Sequence, residues 1–109
     1  MKAYEVLVLA RAARDVDSIF AWLTKRSPVG AVRWADAFKQ VKLRLAEDPL
    51  RFSLIPEKLR FFHDVRDILF KTRKGKLYRA VFAIVGHEVR ILRVRRPGQR
   101  PIRSRDLRT

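Results

Sequence analysis

Apolar and polar positions change period twice along this chain. Residues 4–9, Tyr-Glu-Val-Leu-Val-Leu, are β-branched and apolar enough to predict a first, mostly buried strand. From about Arg11 the spacing becomes helical: Ala12, Val16, Ile19, Phe20 and Leu23 form one stripe, with Arg14, Asp17, Ser18 and Lys25 outside it. Ser27-Pro28 then ends this helix and starts another. A serine side chain accepts a bond from a first-turn N–H, and a proline at the first helical position has no N–H to leave unpaired. The second helix carries Ala31, Trp34, Ala35, Phe38, Val41 and Leu45 on one face and closes at Pro49. So short a joint predicts an antiparallel helical hairpin. Residues 50–63 have no clean period and read as a loop with a turn of helix. Trp22, Phe61 and Phe62 are expected to cap the core.

From Val65 the period falls to two, predicting strands over 65–73, 77–85 and 88–96. Lys74-Gly75-Lys76 and Gly86-His87 are the expected hairpin turns, each glycine taking a positive φ. The expected register sets Lys71 opposite Arg79, and Arg79 opposite Val94. One sheet face then collects Ile68, Phe70, Tyr78, Ala80, Phe82, Ile84, Val89 and Ile91, and covers the helix pair. The other holds Leu69, Val81, Ala83, Leu92 and Val94, with Lys71, Arg73, Arg79 and Arg96 crowded at one end. Like charges set opposite each other destabilise a sheet, so this crowding points to an anionic partner. Arg93 and Arg95 are expected to project to the helix side, pairing with acids such as Asp15 or lying over helix ends. The fold class is α+β, in the order β-α-α-β-β-β, with the helical hairpin on one face of a small, mostly antiparallel sheet. Residues 1–96 form a single domain, and 97–109 a loosely docked basic tail.

Charge is the strongest compositional signal. The 109 residues hold 26 Lys and Arg against 11 Asp and Glu, a net +15. Residues 1–50 carry nine basic and six acidic residues, and residues 51–109 carry seventeen and five, so the excess lies in the second half. That asymmetry suits nucleic acid, an acidic protein or an anionic surface. Cysteine is absent, which excludes disulfides and thiolate metal sites. The short apolar run near the N-terminus is too brief for a signal peptide, and no run reaches the ~18 residues of a membrane span, so a cytoplasmic location without membrane binding is expected. A metal site would need both histidines, His63 and His87, with carboxylates, and none is expected; nor is a cofactor. Ser27, Ser53 and Ser104 have no triad partners at suggestive positions, and the scattered glycines make no phosphate loop.

The helix stretch ARDVDSIFAWL, the segment DVRDILF, and KLYRAVFAIVGHEVRILRVRR carry a family resemblance. In order and spacing the chain resembles the RelE/ParE superfamily of toxins from type II toxin–antitoxin modules, across residues 3–96. The resemblance implies a small, basic cytoplasmic toxin that forms a hetero-oligomer with a cognate, usually acidic antitoxin and serves in plasmid stabilisation. RelE-like members cleave mRNA on the ribosome; ParE-like members poison DNA gyrase and have no known nuclease chemistry. By resemblance, Arg79 stands where RelE-type enzymes hold the scissile phosphate, and Arg95 or Arg96 falls near their second arginine. Lys71 and Arg73 lie where such enzymes supply lysines. The catalytic set of a ribonuclease would be Arg79, Arg96 and Lys71, and the anion-binding set Lys71, Arg73, Arg79, Arg95 and Arg96. The chain departs from the nuclease pattern in one respect. No Tyr or His follows the last strand, and arginine transfers protons poorly because it stays charged. The expectation is therefore a ParE-like gyrase inhibitor and not an enzyme. The alternatives are an mRNA interferase, or a non-toxic relative that only binds an antitoxin.

Overall fold

The computed structural model describes residues 4–56 and 64–108. Strand β1 (Glu5–Val8) leads into helix α1 (Ala10–Arg26) and helix α2 (Pro28–Glu47), followed by a 3-10 turn (Pro49–Arg51). Strands β2 (Asp64–Phe70), β3 (Tyr78–Val85) and β4 (Glu88–Arg95) follow, and a further 3-10 turn (Ser104–Leu107) lies in the C-terminal tail. The sheet order is β1-β4-β3-β2, with β1 parallel to β4 and the other pairs antiparallel. This is the expected α+β arrangement, a helical hairpin over a small mixed sheet. Phe61, Phe62 and His63 lie outside the described residues.

Ser27 makes the sharp helical joint possible. Its N–H donates to the Leu23 carbonyl at 2.8 Å, closing α1, and its hydroxyl accepts from the Gly30 N–H at 3.0 Å, opening α2. Pro28 occupies the first turn, where its missing donor costs nothing. The two helices bury Ala12, Ile19, Trp34, Phe38, Val41 and Leu45 against Ile68, Phe70, Phe82, Val89, Ile91 and Val94 of the sheet. Ala35, expected on the buried face, is exposed, while Ala46 is buried.

Both hairpins depart from the expected register. Between β2 and β3, Leu69 faces Arg79 and Phe70 faces Tyr78, a shift of two residues. The shift preserves which face each side chain takes, but it leaves Lys71 and Arg73 in the connecting loop and not in a strand. Two interactions favour it. Lys71 no longer opposes Arg79, and Phe70 and Tyr78 join Trp34 in an aromatic cluster with centroids 5.5–5.9 Å apart. Gly75 does not take a positive φ, whereas Gly86 does, at +60°. A β-carbon at Gly75 would instead collide with the Thr72 hydroxyl.

In β4 the pairing runs as expected from Val85↔Glu88 to Phe82↔Ile91, then jumps to Val81↔Arg93 and Arg79↔Arg95. Leu92 is the extra residue of a β-bulge, and everything after it changes face. Val94 enters the helix-side core, so Arg93 and Arg95 belong to the outer face and Arg96 to the helix side, the reverse of the expectation. Beyond the end of β1 the edge of β4 meets α1. There the Val94 N–H donates to the Asp15 carboxylate at 2.9 Å, which also holds Arg93 at 2.7 and 3.0 Å. Arg93 thus finds the helix acid expected of it, from the other side of the strand.

The outer face is not a solvated surface. Val65, Val81, Ala83 and Leu92 form a second core with Ile55 and Ile102, packed by Leu9, Val85 and Leu107. The C-terminal tail is therefore docked, not loose. Its anchor is Asp106, 2% exposed, which accepts from Arg100 at 2.7 and 2.8 Å and from the Arg103 N–H at 2.7 Å. Arg11 ties down the tail carbonyls of Arg105 and Arg108.

Candidate functional site

The bulge divides the predicted basic cluster into two unlike groups. On the outer face, Arg79 is locked to Asp67 at 2.6 Å. Arg95, directly opposite it, is 6% exposed and donates to the Arg100 carbonyl. Burial pulls the Arg95 pKa down, with the nearby Asp106 charge working against that pull. Arg90, Arg93 and Arg100 likewise face carboxylates of Glu88, Asp15 and Asp106. Arginines on this face are structural cement, with most of their field cancelled nearby.

At the helix side of the same sheet end the pattern inverts. A cleft of about 1120 Å³ lies between α1, the start of α2, the β2–β3 loop and the chain just after β4. Arg33 enters from α2, Arg73, Lys74 and Lys76 from the loop, and Arg96 from the end of β4. No acidic residue lines the cleft, and among the described residues none of these five side chains makes an ion pair. Its aromatic wall is Trp22, Trp34 and Tyr78. Trp22 does not cap the core; it stands 40% exposed, with the Arg26 guanidinium 4.0 Å from its ring centroid and that of Arg96 at 5.9 Å. Trp34 is buried, and its indole N–H has no partner among the described residues. Burial pushes the Tyr78 pKa up and Arg96 draws it back only in part, so this phenol stays protonated at neutral pH.

Of the five residues expected to share an anion-binding surface, only Arg73 and Arg96 meet in this cleft. Arg79 and Arg95 sit behind the sheet, and Lys71 is exposed in the loop. Sequence reasoning missed Arg33, Lys74, Lys76 and Trp22. One signal was available: Trp22 falls off the apolar stripe of its own helix, four residues before an arginine. His87 occupies the Gly86-His87 turn, away from both groups. Among the described residues no cluster of three or more potential metal ligands occurs, and no helix is long and apolar enough to cross a membrane.

Comparison with known proteins gives one structural likeness and one family. The fold is similar to a solved chain titled "Chromosomal ParDE TA system from P. aeruginosa", with a TM-score of 0.65 and 20% identity. That alignment covers 86% of this chain and 96% of the other. No curated protein matches the sequence. The description "ParE toxin of type II toxin-antitoxin system, parDE" fits residues 6–101, from β1 to the start of the docked tail. A match of that extent, on a fold of the same build, establishes that the chain belongs to the ParE toxin family of type II toxin–antitoxin systems.

Proposed function

We propose that this protein arrests growth by inhibiting DNA gyrase through binding, without cutting RNA, and that a cognate acidic antitoxin neutralises it. The observation that carries this reading is the division of the basic cluster. Phosphoryl-transfer catalysis needs uncompensated positive charge at the reacting phosphate and a group to move the proton. Arg79 spends its charge on Asp67, Arg96 lies across the sheet from it, and Lys71 stands apart in a loop. Tyr78, the tyrosine beside Arg96, is held protonated and so is poorly suited to act as a general base, and neither Tyr nor His follows β4. A net +15 chain is well suited to an anionic partner, which fits an acidic antitoxin. Of the predicted anion-binding residues, Arg73 and Arg96 are the two that open into the cleft. Purified protein titrated into a gyrase supercoiling reaction should inhibit it, and added antitoxin should restore it. If induced cells stop growing with plasmid supercoiling unchanged and mRNA cut on the ribosome, the endonuclease reading replaces this one.

A further inference from the structure

We propose that the cleft between the helical hairpin and the β2–β3 loop binds a single strand of nucleic acid, its phosphates on Arg33, Arg73, Lys74, Lys76 and Arg96 and a base against Trp22. The inference is independent of which macromolecule the toxin inhibits.

The first argument is charge left over. On the outer face Arg79, Arg90, Arg93, Arg95 and Arg100 are each matched to a carboxylate or a carbonyl, whereas the cleft gathers five cations with no acid in its lining. Holding like charges together works against folding, and the molecule has acids that serve elsewhere. The five come from three separate parts of the chain, so they are no accident of one basic run. A polyanion with charge at regular intervals would satisfy both rims of the cleft together.

The second argument concerns the kind of polyanion. Cores of protein–protein interfaces are depleted in charge and in lysine particularly. Nucleic-acid interfaces are much more positive. Two of the five cations are lysines, and the apolar lining is mainly ring, with Trp22, Trp34 and Tyr78 present. Cations tracking a backbone beside an exposed aromatic ring are how sequence-tolerant single-strand sites are built. Trp22 is suited to this because it is exposed at the rim and steadied by Arg26 stacked at 4.0 Å.

The test uses the full chain and a fluorescent twelve-residue oligothymidylate, read by anisotropy over a salt series. Trp22→Ala should weaken binding about tenfold, the scale of one lost base stack. The triple change Arg73→Gln, Lys74→Gln, Lys76→Gln should reduce the slope of log K against log salt by about two, at roughly 0.7 per phosphate contact on single strands. A control triple, Arg14→Gln, Lys39→Gln, Arg105→Gln, removes the same charge from exposed positions elsewhere and should leave the slope nearly unchanged. All variants alter exposed side chains, and circular dichroism melting verifies that they fold. Equal losses from both triples would mean a diffuse field and no site, overturning the proposal. So would an acidic peptide that occupies the cleft, judged by the same variants, when the oligonucleotide does not.

Discussion

Asp106 anchors the C-terminal tail. Buried, it receives a bidentate Arg100, the Arg103 N–H and, at 3.7 Å, Arg93, so one carboxylate folds the tail over the second core. Those donors, Arg100 first, hold its carboxyl well below the usual carboxylate range. A depressed acid contributes stability that is fully present above its unfolded pKa of about 4 and is lost as pH falls towards the folded value. The protein should therefore weaken as pH drops from about 4, and Asp106→Asn should show a flatter acid limb in denaturant titrations. At neutral pH that variant should lose about 2 kcal/mol, the scale of charge-assisted hydrogen bonds left unmade. It should also speed hydrogen exchange around Ile102. An unchanged acid limb would mean that other carboxylates govern acid unfolding.

At the scale of elements, two short devices decide what faces what. Ser27 serves both helices, and Ser27→Ala should cost about 1 kcal/mol in urea unfolding, as for other lost N-caps. A cost near zero would show that the Ser27 backbone alone sustains the turn. The bulge at Leu92 matters more, because one inserted residue exchanges the faces of every later side chain in β4. Period-two reading carried Val94 outward and Arg95 inward, and both were reversed. The adjacent pair Ile91-Leu92 was the local hint, since two consecutive apolar residues interrupt strict alternation. Nothing local said which way the phase would slip. That choice rests on Asp15, nearly eighty residues away, receiving both Arg93 and the Val94 N–H.

Across the whole molecule, charge is sorted and not merely abundant. Arg79, Arg90, Arg93 and Arg100 are paired on the outer sheet face, whereas among the described residues Arg33, Arg73 and Arg96 make no ion pair in the cleft on the helix side. The molecule measures 38 × 35 × 22 Å, so at about 10 mM salt, with a screening length of about 30 Å, its +15 repels itself throughout. Raising NaCl to about 150 mM shortens that length to about 8 Å, which leaves the short, half-buried pairs largely intact. The melting temperature should therefore rise with salt over this range. A fall would mean that the pairs outweigh the self-repulsion.

By itself, the sequence determined the element order, the helical joint at Ser27-Pro28, the helix-facing strand residues before the bulge, and the excess of positive charge. Each follows from local rules: a period of 3.6 or 2, a capping side chain, a count of ionisable groups. The tertiary structure alone decided the hairpin register, the phase slip at Leu92, the docking of the tail, and which arginines remain open to a partner. These depend on groups far apart in sequence reaching one another: Asp67 with Arg79, Asp15 with Arg93, and Arg33 facing the β2–β3 loop. A basic residue is a binding residue only where no carboxylate has reached it first, and long-range packing alone settles that.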